Sequence, residues 1–229
     1  VNESAFTGNT ANTYGGAIVL EGAANDAQGK GTAANLDVVG SVFTGNTANV
    51  SGGAILQGSG STGTITIDGS NFTENKAVAE GGAVVSDATM LVKNSTFTGN
   101  KTTGDMTFDD AVADGNPAYY GDNGGGAIFL YDHSQTTVEN SEFSGNTSGT
   151  YGGAIATRNG ASAENSSLTL NASTFDGNSA DLWGGALYNS VKSTIGNGTS
   201  FKNNTAKFGG AIWNEGEMYF ANTEQITFG

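Results

Sequence analysis

Residues 64–84 read Thr64-Ile-Thr-Ile-Asp-Gly-Ser-Asn-Phe72-Thr-Glu-Asn75-Lys-Ala-Val-Ala-Glu-Gly81-Gly-Ala-Val84. Ile65 and Ile67 stand two apart, the spacing of a strand with one buried face. Asp-Gly-Ser is turn chemistry, Phe72 returns to the apolar side, and the Gly pair punctuates a second corner before Val84. The pattern recurs along the chain. Phe-x-x-Asn occurs at Phe6/Asn9, Phe43/Asn46, Phe72/Asn75, Phe97/Asn100, Phe143/Asn146, Phe175/Asn178 and Phe201/Asn204. Gly-Gly-Ala followed by Ile, Val or Leu begins at Gly15, Gly52, Gly81, Gly125, Gly152, Gly184 and Gly209. The two motifs alternate strictly, with nine residues from Phe to the first Gly in five copies, 28 in the fourth and eight in the last. Apolar residues fall five and seven positions before Phe in Leu36/Val38, Ile65/Ile67, Met90/Val92 and Leu168/Leu170, and Ser or Thr precedes each Phe by two.

The shortest unit, from Phe72 to Phe97, is 25 residues and holds no amphipathic helical pattern. It offers two or three short strands between Gly, Asn and Ser corners. So small a unit buries its apolar face only by stacking on its neighbours. The expected fold is all-β: a right-handed parallel β-helix of about seven coils, forming a single domain over residues 1–229, with handedness taken from the rule for parallel crossovers. Stacking turns the anchors into ladders. Phe6, Phe43, Phe72, Phe97, Phe143, Phe175 and Phe201 make an aromatic ladder in the core. Asn9, Asn46, Asn75, Asn100, Asn146, Asn178 and Asn204 make an inward, hydrogen-bonded one. The Gly pair allows positive φ and close backbone approach. Residues 218–228 read as the start of an eighth coil. Insertions are expected at 21–34, 102–123 and 159–166; loops projecting from a solenoid lie on its surface and often carry function.

Composition supports a narrow core. Apolar residues make up 36 %, charged residues 13 %, and there are 37 Gly and no Cys. The missing Cys removes disulfides, thiolate metal sites and Cys nucleophiles. A formal charge of −14 repels phosphate backbones and anionic lipid, so neither nucleic acid nor membrane insertion of this segment is expected. Val1 already sits in repeat phase, so no leader is read at the start of the chain.

The alternation of Gly-Gly-Ala-(Ile/Leu/Val) with Phe-x-x-Asn, from Val1 to about Ile212, resembles the repeat of the chlamydial polymorphic outer-membrane proteins. It is also similar to related β-helical adhesin-like surface proteins. The resemblance implies a β-helix carried to the cell surface, commonly as an autotransporter passenger, acting in adhesion. The expectation is an extracellular, non-catalytic surface protein whose partners are a protein or glycan on a cell surface or in matrix, or copies of itself. End-to-end stacking into a filament is the alternative, through unpaired strand edges.

A carbohydrate-active enzyme is the third reading, because some right-handed β-helices cleave polysaccharides. That chemistry needs a base beside paired or metal-holding carboxylates. The chain has one His, His133, and one Arg, Arg158; both are expected to be ordinary solvated side chains, and no catalytic residue is expected. No cofactor is expected either, calcium excepted. Asp105, Asp109, Asp110, Asp114 and Asp122 lie in the longest insertion with Tyr119 and Tyr120, and hard oxygen ligands in number suit Ca²⁺. Their spacing matches neither the EF-hand nor the nonapeptide calcium repeat, so an acidic exposed loop is the plainer expectation.

A further stripe follows the Gly-Gly-Ala-Ile motif. Val19, Leu56, Val85, Phe129, Ala156, Tyr188 and Trp213 come one residue after the inward position, so alternation aims them outward. Tyr14, Tyr151, Trp183 and Phe208 precede the Gly pair. Phe129, Tyr188 and Trp213, with Tyr119 and Tyr120, are therefore the candidate binding residues. The competing expectation is that a bulge or neighbouring loops cover them.

Overall fold

A computed structural model describes residues 1–21, 33–58, 61, 63–104, 123–158, 165–221 and 226–229. The five calcium candidates and Tyr119 and Tyr120 lie outside the described residues, as do most of the three insertions. Among the described residues every strand pairing is parallel, and the strands join into four sheets of eight, six, seven and seven strands stacked along the rod. One coil is Thr64–Asp68, Asn71–Thr73, Lys76–Ala77 and Val84–Ser86, and each of these strands pairs with its equivalent in the next coil. The fold is thus a parallel β-solenoid of the expected size. The interior coils carry four strands where two or three were expected, because Lys76–Ala77 and its equivalents are only two residues long and too short for a periodic signal. Among the described residues no helix is long and apolar enough to cross a membrane.

The anchors pair with themselves. Phe6 aligns with Phe43, Phe43 with Phe72, and so on to Phe201 and Phe228. Ring centroids from Phe6 to Phe201 lie 4.7–4.9 Å apart and within 10° of parallel, so the ladder inherits the strand spacing. Phe228 continues it at 5.5 Å, placing the predicted eighth coil. Opposite this ladder stand Ile65 and Ile67 with their equivalents, and Ile55, Val84, Ile128, Ile155 and Leu187 close the same core.

The Asn ladder satisfies itself completely in the interior coils. Asn75 Nδ2 donates to Asn100 Oδ1 and to the Phe43 carbonyl, each at 2.9 Å. Its Oδ1 accepts from the backbone N–H and side-chain Nδ2 of Asn46 at 3.0 and 2.9 Å. The same amide-to-amide bond carries on from Asn100 to Asn146 at 3.0 Å, from Asn146 to Asn178 at 2.9 Å and from Asn178 to Asn204 at 3.0 Å. Asn46, Asn75, Asn100, Asn146 and Asn178 are fully buried. Two donors and two acceptor sites are filled on each, which is how amides enter a dry core without penalty.

The two end rungs join the ladder but are open to solvent. Asn9 is exposed and Asn204 only half-buried, because each is stacked on another Asn from one side alone. Asn204 still donates to the Phe175 carbonyl at 2.9 Å. A second polar ladder turns the preceding corner: Ser41, Ser70, Ser95 and Ser141 each accept from the backbone N–H one coil back at 3.0–3.2 Å.

The two glycines of each pair differ in role. The first has positive φ, as in Gly52 at 67°. The second is required by contact: a Cβ on Gly53 would sit 2.0 Å from the Gly82 carbonyl oxygen of the next coil.

Candidate functional site

The sheet that follows the Gly pair differs from the others in burying both faces at mid-rod. Ile55–Gln57, Val84–Ser86, Ile128–Leu130 and Ile155–Thr157 are buried at every residue. The inward residues join the main core, while Leu56, Val85, Phe129 and Ala156 form a second apolar cluster on the outer face with Tyr131. Tyr14, Tyr151 and Tyr188 pack against it. Alternation did aim the stripe outward, but its middle is covered. Phe129 is 3 % exposed, whereas Tyr188 and Trp213 are half-buried and Val19 is open. Glu80 sits buried beside this cluster, its Oε2 accepting from Ser51 Oγ at 2.8 Å and from Tyr131 Oη at 2.5 Å.

Toward the later coils this face becomes aromatic. Tyr151, Trp183 and Phe208 bridge one another coil to coil. Tyr188 and Trp213 pair in register on the neighbouring strand row. The Tyr151 ring lies 5.0 Å from both Trp183 and Tyr188, and Trp183 lies 6.3 Å from Phe208 and from Trp213. These rings sit on hydrogen-bonded sheet, so their spacing is fixed by the strands beneath them.

Within this face lies a groove of about 230 Å³ lined by Phe129, Tyr151, Ala156, Arg158, Tyr188 and Glu215, with Thr157 beside them. The Tyr188 hydroxyl donates to Glu215 Oε2 at 2.7 Å, and Trp213 Nε1 donates to Glu215 Oε1 at 2.9 Å. Both carboxylate oxygens are thereby oriented. Arg158 caps the other end, its guanidinium carbon 5.5 Å from the Tyr131 ring centroid and its Nε 3.8 Å from Asp132 Oδ1. Its side chain is 26 % exposed, which corrects the expectation of an ordinary solvated arginine: the Tyr131 face holds it by cation–π attraction. His133 is the open histidine expected, 57 % exposed, with Nδ1 3.3 Å from the buried Asp87 carboxylate.

Three of the five sequence-chosen binding residues therefore meet on one face: Phe129 and Tyr188 line the groove, and Trp213 orients its carboxylate. Glu215 and Arg158 were missed as groove residues. A partial signal for Glu215 was present, since it follows Trp213 by two, one residue past the end of the strand Ile212–Asn214. For Arg158 there was none, because its position depends on Tyr131 of the previous coil. Among the described residues no three His, Asp or Glu side chains gather as a metal site.

A repeat solenoid of four parallel sheets with in-register ladders defines a class, and comparison with known families agrees. The chain matches the model described as "Right handed beta helix region" over residues 2–166 and 63–224. It belongs to the right-handed β-helix family. Neither a curated protein nor a solved structure matched the chain.

Proposed function

We propose that this chain is a non-catalytic, adhesin-like surface rod, acting outside the cell by making contacts with a host cell, a neighbouring cell or matrix. The observation that carries the reading is the row of stacked, half-buried rings Tyr151, Trp183, Tyr188 and Trp213 on a rigid sheet. Aromatic side chains dominate contact energetics because they bring area at little entropic cost. The resemblance of the repeat to outer-membrane adhesins and the acidic, Cys-free composition point the same way. His133 and Arg158 face different carboxylates, Asp87 and Asp132, an arrangement suited to holding side chains in place. The test is retention of fluorescent chain on cells and matrix, compared with Trp183→Ala/Trp213→Ala. Saturable retention that this variant loses is expected. Retention no higher than that of an unrelated acidic protein would refute the reading.

End-to-end stacking is the second reading. The end strands of the Phe sheet, Ala5–Thr7 and Thr227–Phe228, each pair on one side only, and Tyr219, Phe220 and Phe228 are about half exposed. Onto such edges either further coils or a second copy would add. A strictly monomeric species at high concentration in sedimentation would dismiss it.

A further inference from the structure

Resting on the adhesive reading, we propose that the groove between Arg158 and Glu215 holds one neutral pyranose ring of a glycan, seated against the side chains of Tyr151 and Tyr188. The size sets the first limit. About 230 Å³ is below the roughly 300–1,000 Å³ of drug-sized sites and suits a single ring. The wall sets the second. Tyr151 and Tyr188 stack on each other at 5.0 Å and 29°, and with Phe129 and Ala156 they line the groove with apolar surface, so the ligand needs an apolar face.

The rim decides the rest. Glu215, pinned by Tyr188 and Trp213, is an acceptor only, and its oxygens keep lone pairs for further donors. Arg158 is a donor only. A ligand spanning both must donate at one end and accept at the other, which hydroxyls around a ring do. An aliphatic side chain from a protein would suit the wall but desolvate both charges while returning no hydrogen bond. An anionic sugar would meet Arg158 but also Glu215 and a chain of net charge −14, a repulsion that a neutral ring avoids. Arg158, Tyr188 and Glu215 come from three successive coils, so the two charges stand about 10 Å apart along the rod at the strand spacing, the reach of a ring with its substituents.

The chain reports on its own groove, because both of its tryptophans, Trp183 and Trp213, lie on this face. The experiment titrates the intact chain with maltotetraose, cellotetraose, chitotetraose and trigalacturonate, following tryptophan fluorescence and calorimetry. At least one neutral oligosaccharide is expected to bind with a fluorescence change. Tyr188→Ala and Glu215→Gln are each expected to weaken it by about tenfold or more, with unchanged circular dichroism. Tyr219→Ala, exposed but outside the groove, is expected to stay within about twofold. No binding of any neutral sugar, binding of trigalacturonate alone, or binding indifferent to both groove variants would overturn the proposal. Cell retention that persists without sugar binding sinks this assignment and keeps the adhesive reading; sugar binding without cell retention does the reverse.

Discussion

Replacing Asn75 with Ala removes the amide at the middle of the polar ladder. The wild-type side chain is fully buried and makes four hydrogen bonds of 2.9–3.0 Å. The substitution deletes all four and leaves the Asn46 backbone N–H without its acceptor in a dry corner. At about 0.5–1.5 kcal/mol net per bond and about 1–3 for a stranded buried group, the expected loss is about 3–9 kcal/mol. Asn9 is the internal control. It is exposed, and its side chain donates to Asn46 Oδ1 at 2.8 Å, so Asn9→Ala should cost less than about 1 kcal/mol. Asn75→Asp adds a pH test. The carboxylate keeps the acceptor role toward Asn46 but faces the Phe43 carbonyl and Asn100 Oδ1 with no proton to give. Burial and those two oxygens push its folded pKa above the unfolded value of about 3.9. The variant's deficit is therefore smallest below that unfolded value and grows as pH rises through the folded one. The assay is urea unfolding followed by far-UV circular dichroism, read as midpoint shifts at constant slope. Equal losses at Asn9 and Asn75, or an Asn75→Ala loss under about 1 kcal/mol, would refute the ladder argument.

Other outcomes follow from the same geometry. Phe97→Ala empties a rung stacked at 4.8 Å on both neighbours and should cost about 3–5 kcal/mol by the same unfolding assay, whereas Phe228, 53 % exposed, should tolerate Ala with under about 1 kcal/mol of loss. Glu74 occupies, at φ 54°, the left-handed position that Gly holds in five of the other Phe-x-x-Asn copies. Glu74→Gly should therefore stabilise by about 0.5–1 kcal/mol, seen as a higher melting temperature. Gly45→Ala, at φ 61° with open space around the added carbon, should cost about 1–2 kcal/mol through backbone conformation alone. Gly53→Ala meets backbone at 2.0 Å and should cost about 3 kcal/mol or more, separating two coils in hydrogen exchange.

What the sequence made legible is what stacks on its own copy. Phe72, Asn75, Ile65 and Gly81 announce themselves because each coil must supply the same residue at the same rung. Asn146 and Asn178 were legible in the same way, whereas the half-exposure of Asn204 was not, since the motif is identical whether or not another Asn follows it along the rod. The two-residue strand at Lys76–Ala77 stayed hidden, because no period fits in two residues. The covering of the outer face was legible only as the competing expectation: alternation aims Val85 and Phe129 outward and does not say that Tyr131, Tyr151 and Tyr188 pack over them. The groove was half legible for a related reason. Tyr188 and Trp213 follow from strand phase, whereas Arg158 lies where Tyr131, 27 positions earlier, holds it.

The central claim is that the motifs stack rung on rung, even across the 46 positions from Phe97 to Phe143. The absence of Cys makes that directly testable by paired substitution. Thr98 and Ser144 are register partners whose hydroxyl oxygens lie 3.1 Å apart, and the roughly 4.8 Å between neighbouring strands falls within the Cα separation a disulfide accepts. Oxidation of Thr98→Cys/Ser144→Cys should give a near-quantitative intramolecular disulfide in peptide mapping, and Thr98→Cys/Glu142→Cys, slipped by two, should not. Preferential closure of the slipped pair, or closure of neither, would contradict the in-register solenoid.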